Sequence, residues 1–126
     1  MSVRRVVPDL HIAHDGAAEA LAGHRTFYGL LGFEEVMNHG WVMTLASPAN
    51  PTAQLTFLTH DASAPVAPDL SIEVEDVDAA YAAVLASGAR IVHPLRDEEW
   101  GVRRFFVEDP DGRVVNVLGH RRPADD

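Results

Sequence analysis

Asp9 and His11 stand two residues apart in a stretch of alternating polarity, and Asp69, Ser71 and Glu73 carry the same spacing sixty residues later. Residues two apart on a β-strand share a face, so each set lines up carboxylate, imidazole or hydroxyl groups on one surface. Such a row can hold a divalent cation, move a proton or orient a polar ligand. Glu73, as a base if it is buried, and His11 are the two candidates for proton transfer. Ser71, His11 and Asp9 make a poor nucleophilic triad, because only an accident of sheet geometry would join them into a relay.

Two further groups bear on a ligand. Trp41 and Trp100 are the only tryptophans of the chain and hold nearly equivalent places in its two halves. They are either ordinary core or rim residues, or they flank a pocket mouth and stack on a flat ligand. Arg103 and Arg104 lie inside a strand, so one points to each face, and the inward one can orient a polar group. The remaining histidines, His14, His24, His39, His60, His93 and His120, read as solvated or structural.

Composition removes several alternatives. With no cysteine, disulfides, thiolate metal sites and cysteine nucleophiles are excluded, and a reducing cytoplasm is the expected location. A formal charge of −9, with all ten cations arginine, disfavours nucleic acid as a partner. The N-terminal residues lack the apolar core of a signal peptide or membrane span. No Gly-rich phosphate loop or Gly-x-Ser-x-Gly elbow is present.

Hydrophobic spacing supplies the elements that must position these residues. Val6 to His14 reads as a strand, Gly16 to Leu31 as a helix capped by Asp15 and ended by Gly32, and Phe33–Asn38, Trp41–Ala46 and Gln54–Thr59 as strands. The second half repeats the order. Asp69–Glu75 is a strand, and Val77–Ser87 is a helix between Asp76 and Gly88. Ile91–His93, Val102–Val107 and Val114–Leu118 are strands. Pro8-Asp9-Leu10-His11-Ile12 echoes Pro68-Asp69-Leu70-Ser71-Ile72, and Thr56-Phe57-Leu58-Thr59-His60 echoes Asn116-Val117-Leu118-Gly119-His120. The two echoes at one offset argue for a duplicated βαβββ unit. The expected division of the 126 residues is module one at about 5–60, a linker at 61–67 and module two at about 68–120, all in one domain.

Phe27-Tyr28-Gly29-Leu30-Leu31-Gly32-Phe33, the stretch Ile72 to Ala89, and Phe106-Val107-Glu108-Asp109-Pro110-Asp111-Gly112 before a last strand resemble the vicinal oxygen chelate superfamily of glyoxalases, bleomycin-resistance proteins and extradiol dioxygenases. The resemblance implies an α+β fold in which two tandem βαβββ modules form a cup-shaped mixed sheet with helices on its outer face, usually as a homodimer. It also implies four metal-ligand positions, which the sixty-residue repeat carries onto Asp9, Thr56, Asp69 and Asn116. Registering module one two residues earlier puts Val7 in place of Asp9. Neither set contains histidine or glutamate.

The expectation is therefore a metal-independent small-molecule binder of the glyoxalase and bleomycin-resistance type, without a cofactor. It would sequester an antibiotic or metabolite in a cup at the module or dimer interface. Ligand-binding candidates are Asp9, His11, Trp41, Thr56, Asp69, Ser71, Glu73, Trp100, Arg103 and Asn116. The alternative is a lyase, isomerase or dioxygenase with a divalent metal at Asp9, Asp69 and Asn116. Neither a nucleic acid nor a membrane is expected as a partner.

Overall fold

Ten elements follow one another in a computed structural model that describes residues 2–12, 17–59 and 64–120. They are β1 (Val3–His11), α1 (Ala17–Gly29), β2 (Glu34–Asn38), β3 (Val42–Ala46), β4 (Gln54–Leu58), β5 (Leu70–Val74), α2 (Val77–Ser87), β6 (Ile91–Asp97), β7 (Val102–Glu108) and β8 (Val114–His120). The order strand, helix, three strands occurs twice. The eight strands form one mixed sheet in the order β2-β3-β4-β1-β5-β8-β7-β6. β1 runs parallel to β4 and β5 parallel to β8, while β1 and β5 meet antiparallel at the centre.

Two apolar clusters hold the helices to one face. Ile12, Leu21, Met43, Leu45 and Phe57 pack under α1, and Val74, Val77, Ala80, Phe105, Val107 and Val117 under α2. β3, β4, β5, β7 and β8 give alternate residues to these clusters, as a pleated strand must. Truncating a fully buried phenylalanine such as Phe105 to alanine costs about 3–5 kcal/mol, so the helix-bearing face fixes the sheet and leaves the other face to carry function. Among the described residues, no helix is long and apolar enough to cross a membrane.

Several ends differ from the sequence expectation. β1 begins at Val3 and stops at His11, three residues short of the expected end. Asp15 and His14 lie outside the described residues, as do His60 and part of the expected linker. β6 continues through Pro94 to Asp97. An outermost strand tolerates proline because one of its edges has no ladder to satisfy, and the register shifts on both sides of His93 absorb it. Leu10 does not pack under a helix as its spacing suggested; it is exposed, because the helices cover the outer strands and leave the centre of the outer face bare.

α2 matches its expected bounds. Asp76 Oδ1 accepts the Ala79 N–H at 3.0 Å, and Gly88 ends the helix at φ 80°. The Asp109-Pro110-Asp111-Gly112 turn delivers β8. Asp109 Oδ1 accepts the N–H groups of Arg113 and Asp111, both at 2.9 Å. The Arg113 backbone bond is the main reason the Asp109 carboxyl lies below its ordinary pKa.

Candidate functional site

The face opposite the helices encloses a cavity of about 510 Å³ lined from both halves of the chain. That lies within the size range of small-ligand sites. Its floor is the row of inward residues where the strands come into register: Thr44 on Thr56, Thr56 on Asp9, and Ser71 on Asn116.

The register revises the repeat. Thr56 and Asn116 occupy matching places in β4 and β8, an offset of 60, but their partners are Asp9 and Ser71, an offset of 62. Asp9 therefore corresponds to Ser71, and Val7 corresponds to Asp69. The Pro-Asp-Leu echo sits two residues out of structural register, and the earlier alignment of module one is the one the backbone adopts.

On the floor, Ser71 Oγ donates to Asp9 Oδ2 at 2.6 Å, and Asn116 Nδ2 donates to Ser71 Oγ at 3.0 Å. Asp9 is only 6% exposed. Burial pushes its carboxyl from the usual 3.8 to about 7, against the opposing pull of the Ser71 hydroxyl and of His11; Asp69 adds to the rise and Arg104 opposes it. Asn116 is 7% exposed, and its Oδ1 is buried with no hydrogen-bond partner. The Thr44 and Thr56 hydroxyls bond each other at 2.8 Å.

At another part of the wall, Arg5 binds the carboxylate of Glu73 and the side-chain oxygen of Gln54. His120 Nε2 lies 3.5 Å from Glu73 Oε2. Glu73 is thus committed to an ion pair with Arg5.

One part of the lining is aromatic. Trp41 follows Gly40, which takes φ 86° in the β2–β3 turn, and Trp100 precedes Gly101, which takes φ 93° in the β6–β7 turn. A side chain at such φ is strained, so glycine beside each tryptophan lets the turn close. The two rings meet edge to face with centroids 6.3 Å apart. Arg104 lies between rings, its Cζ 5.0 Å from the Trp100 centroid and 4.8 Å from that of Phe106. Glu98, 2% exposed, receives that charge with Nε at 3.4 Å, and also contacts His93 at 3.1 Å and Arg96 at 3.2 Å.

Of the residues named from sequence, the cavity gathers Asp9, Trp41, Thr56, Ser71, Glu73, Trp100 and Asn116. It does not gather His11, Asp69 or Arg103. His11 shares parity with Asp9 but is the last residue of its strand, and its Nε2 bonds Pro68 O at 2.7 Å instead. Asp69 precedes β5 and spends Oδ2 on the Val114 N–H at 2.9 Å. Arg103 points to the helix side, pairing with Asp78 at 3.0 Å and Asp97 at 3.2 Å. Asp78 is the main cause of its raised pKa. Arg104 is the inward arginine. Sequence reasoning missed Arg5, Gln54, Thr44 and His120. Arg5 and His120 were legible as positions four from Asp9 and Asn116 on the same strand face.

The metal positions implied by the family resemblance do not fit a transition ion. In the register found, they are Val7, Thr56, Asp69 and Asn116. One has no donor atom, and Thr56 offers only a hydroxyl already bonded to Thr44. Asp69 is not among the residues that line the cavity and holds the Val114 N–H, and Asn116 offers a neutral amide. Zn²⁺ and similar ions take imidazole and carboxylate ligands. Among the described residues, no group of three or more histidine, aspartate or glutamate side chains is placed to hold a metal.

The family model of the Glyoxalase/Bleomycin resistance protein/Dioxygenase superfamily matches residues 18–117. Solved structures share the fold at low identity. A chain from Legionella pneumophila described as an NAD-dependent benzaldehyde dehydrogenase is 16% identical with a TM-score of 0.69, over 92% of this chain and 99% of that one. Methylmalonyl-CoA epimerase from Mycobacterium tuberculosis is 19% identical with a TM-score of 0.65, over 98% and 90%. A glyoxalase/bleomycin resistance protein/dioxygenase superfamily member from Vibrio splendidus 12B01 is 19% identical with a TM-score of 0.64, over 94% and 99%. No curated protein sequence matches the chain.

Proposed function

The chain belongs to the Glyoxalase/Bleomycin resistance protein/Dioxygenase superfamily, and from that premise we propose that it is a metal-independent protein that binds a flat small molecule in its cavity. The observation that carries this reading is the make-up of the 510 Å³ cavity. Two tryptophans and an arginine stacked on Trp100 line it, and its floor carries a hydrogen-bonded Asp9–Ser71–Asn116 chain. Aromatic faces supply affinity for a planar ligand, and a few fixed polar groups orient it. The donor set at the family's metal positions supports binding without a metal.

We further propose that the protein resides in the cytoplasm, in keeping with its lack of cysteine, and that it forms a homodimer. Support for the dimer comes from the exposed apolar side chains Val3, Val6 and Leu10 on β1.

Both tryptophans of the chain line the cavity, so intrinsic fluorescence reports directly on its occupancy. Titration with a panel of planar aromatic compounds is expected to quench and shift the emission saturably, with the same affinity in EDTA as in added Zn²⁺, Ni²⁺ or Mn²⁺. A stoichiometric transition metal in the purified protein that is lost on Asp9→Ala would overturn metal independence. Absence of saturable binding across the panel would overturn the binding reading itself.

A further inference from the structure

The hydrogen-bond chain on the cavity floor has a direction. Ser71 Oγ gives its single proton to Asp9 Oδ2, so it must accept from its other neighbour, and it does so from Asn116 Nδ2. That polarity fixes the orientation of the Asn116 carboxamide. One amino N–H is spent on Ser71, and Oδ1 is left buried without a partner in a residue that lines the cavity. An unpaired buried carbonyl oxygen is costly, and native structures rarely leave one without a purpose.

The surroundings say what would satisfy it. The Asp9 carboxylate, an acceptor when ionised, is joined to Asn116 through one hydroxyl at 2.6 and 3.0 Å. The two threonine hydroxyls bond each other, which uses one of their two protons. The cavity's cations are already engaged, Arg5 by Glu73 and Gln54, and Arg104 by Glu98. A ligand presenting a carboxylate or phosphate to this floor would meet two acceptors, whereas one presenting N–H groups would meet complementary partners.

Building on the binding reading above, we propose that the ligand is a flat ring system bearing an amidine-type edge. Its N–H groups donate to Asn116 Oδ1, Asp9 offsets its positive charge, and its ring lies toward Trp41 and Trp100. Two acceptors joined through a single hydroxyl call for a planar edge with more than one N–H, which a bulky ammonium would match less well. The class includes amidines and amino-substituted nitrogen heterocycles.

Isothermal titration calorimetry of the full chain at pH 8 tests this with naphthalene-2-carboxamidine and naphthalene-2-carboxylate, which share a ring and differ in the polar edge. The amidine is expected to bind at least tenfold more tightly. Asn116→Leu is expected to weaken it about tenfold or more, as for loss of a hydrogen bond to a charged group, while changing carboxylate affinity less than twofold. A smaller preference for the amidine in the unmodified protein overturns the proposal whether or not the variant folds. So does a folded Asn116→Leu protein that binds the amidine within twofold of the parent. Should neither probe bind while other flat compounds quench the tryptophans, the donor-edge assignment fails and the binding reading stands; if nothing binds, both fail.

Discussion

Replacing Asp9 with asparagine should make the protein more stable at pH 8, and the gain should shrink toward pH 5. The Asp9 carboxyl is nearly inaccessible, and its pKa stands at about 7 against 3.8 for the free side chain. Burial is the main cause, and the charged groups facing it are His11 on its own strand, Asp69 before β5 and Arg104 on β7. Between these two values the native state holds a proton that the unfolded chain has released, so stability falls as pH rises through this window. At about 1.4 kcal/mol per pH unit, the native state has lost roughly 4 kcal/mol relative to acid by the time pH passes 7. About 3 kcal/mol of that loss falls between pH 5 and pH 8. The carboxamide introduced by Asp9→Asn cannot ionise, and its oxygen still accepts from Ser71. Urea denaturation of both proteins at the two pH values isolates the effect, because all other titrations cancel in the double difference. The difference in stability between Asp9→Asn and the parent should be about 3 kcal/mol larger at pH 8 than at pH 5. A double difference below about 1 kcal/mol would refute the argument, since it would mean that Asp9 ionises as freely in the fold as outside it.

Two other substitutions test the structure that supports the cavity. Glu98→Ala leaves the Arg104 guanidinium and His93 in a buried site without their carboxylate, and should cost about 3–5 kcal/mol by denaturation, as breaking a buried pair does; a cost under 1 kcal/mol would show that Glu98 does not hold Arg104. Gly88→Ala and Gly23→Ala should move melting temperature in opposite directions. A Cβ meets nothing within 4 Å at either site. Gly88 holds φ 80° at the end of α2, where a side chain costs about 1–2 kcal/mol. Gly23 lies inside α1 without positive φ, where alanine gains about 0.5–1 kcal/mol.

The order of elements was legible because apolar spacing, glycine stops and the Asp76 cap act locally, within one turn or one strand. α2 could be read to the residue for that reason. Strand ends were less legible, because pairing decides them. Val3 to Arg5 look like an irregular lead-in, yet they extend β1 because β5 supplies partners as far as Val74. Alternation failed for Arg103 and Arg104 for a different cause. β7 is apolar on both faces, with Phe105 and Val107 toward α2 and Val102 and Phe106 toward the cavity side, so there is no polar face to mark the direction.

The echo that aligned the two halves mattered most, and it was right for one strand pair and displaced by two residues for the other. A strand shifted by two keeps every side chain on the same face, so the hydrophobic pattern of β1 and β5 cannot distinguish the registers. Only the partner strand can, and Asp9 lies on Thr56 as Ser71 lies on Asn116. That displacement has a chemical consequence. Had the echo been in register, Asp9 and Asp69 would both enter the cavity and form a two-carboxylate cation site. Ser71 sits across from Val7 and reaches Asp9 with its hydroxyl, while Asp69 is not among the residues that line the cavity, so a hydroxyl takes the central position. The hydroxyl can both donate and accept, and for that reason it joins Asp9 to Asn116 and leaves the amide oxygen buried without a partner. A two-residue offset thereby separates a floor suited to a metal from one suited to the N–H edge of an organic ligand.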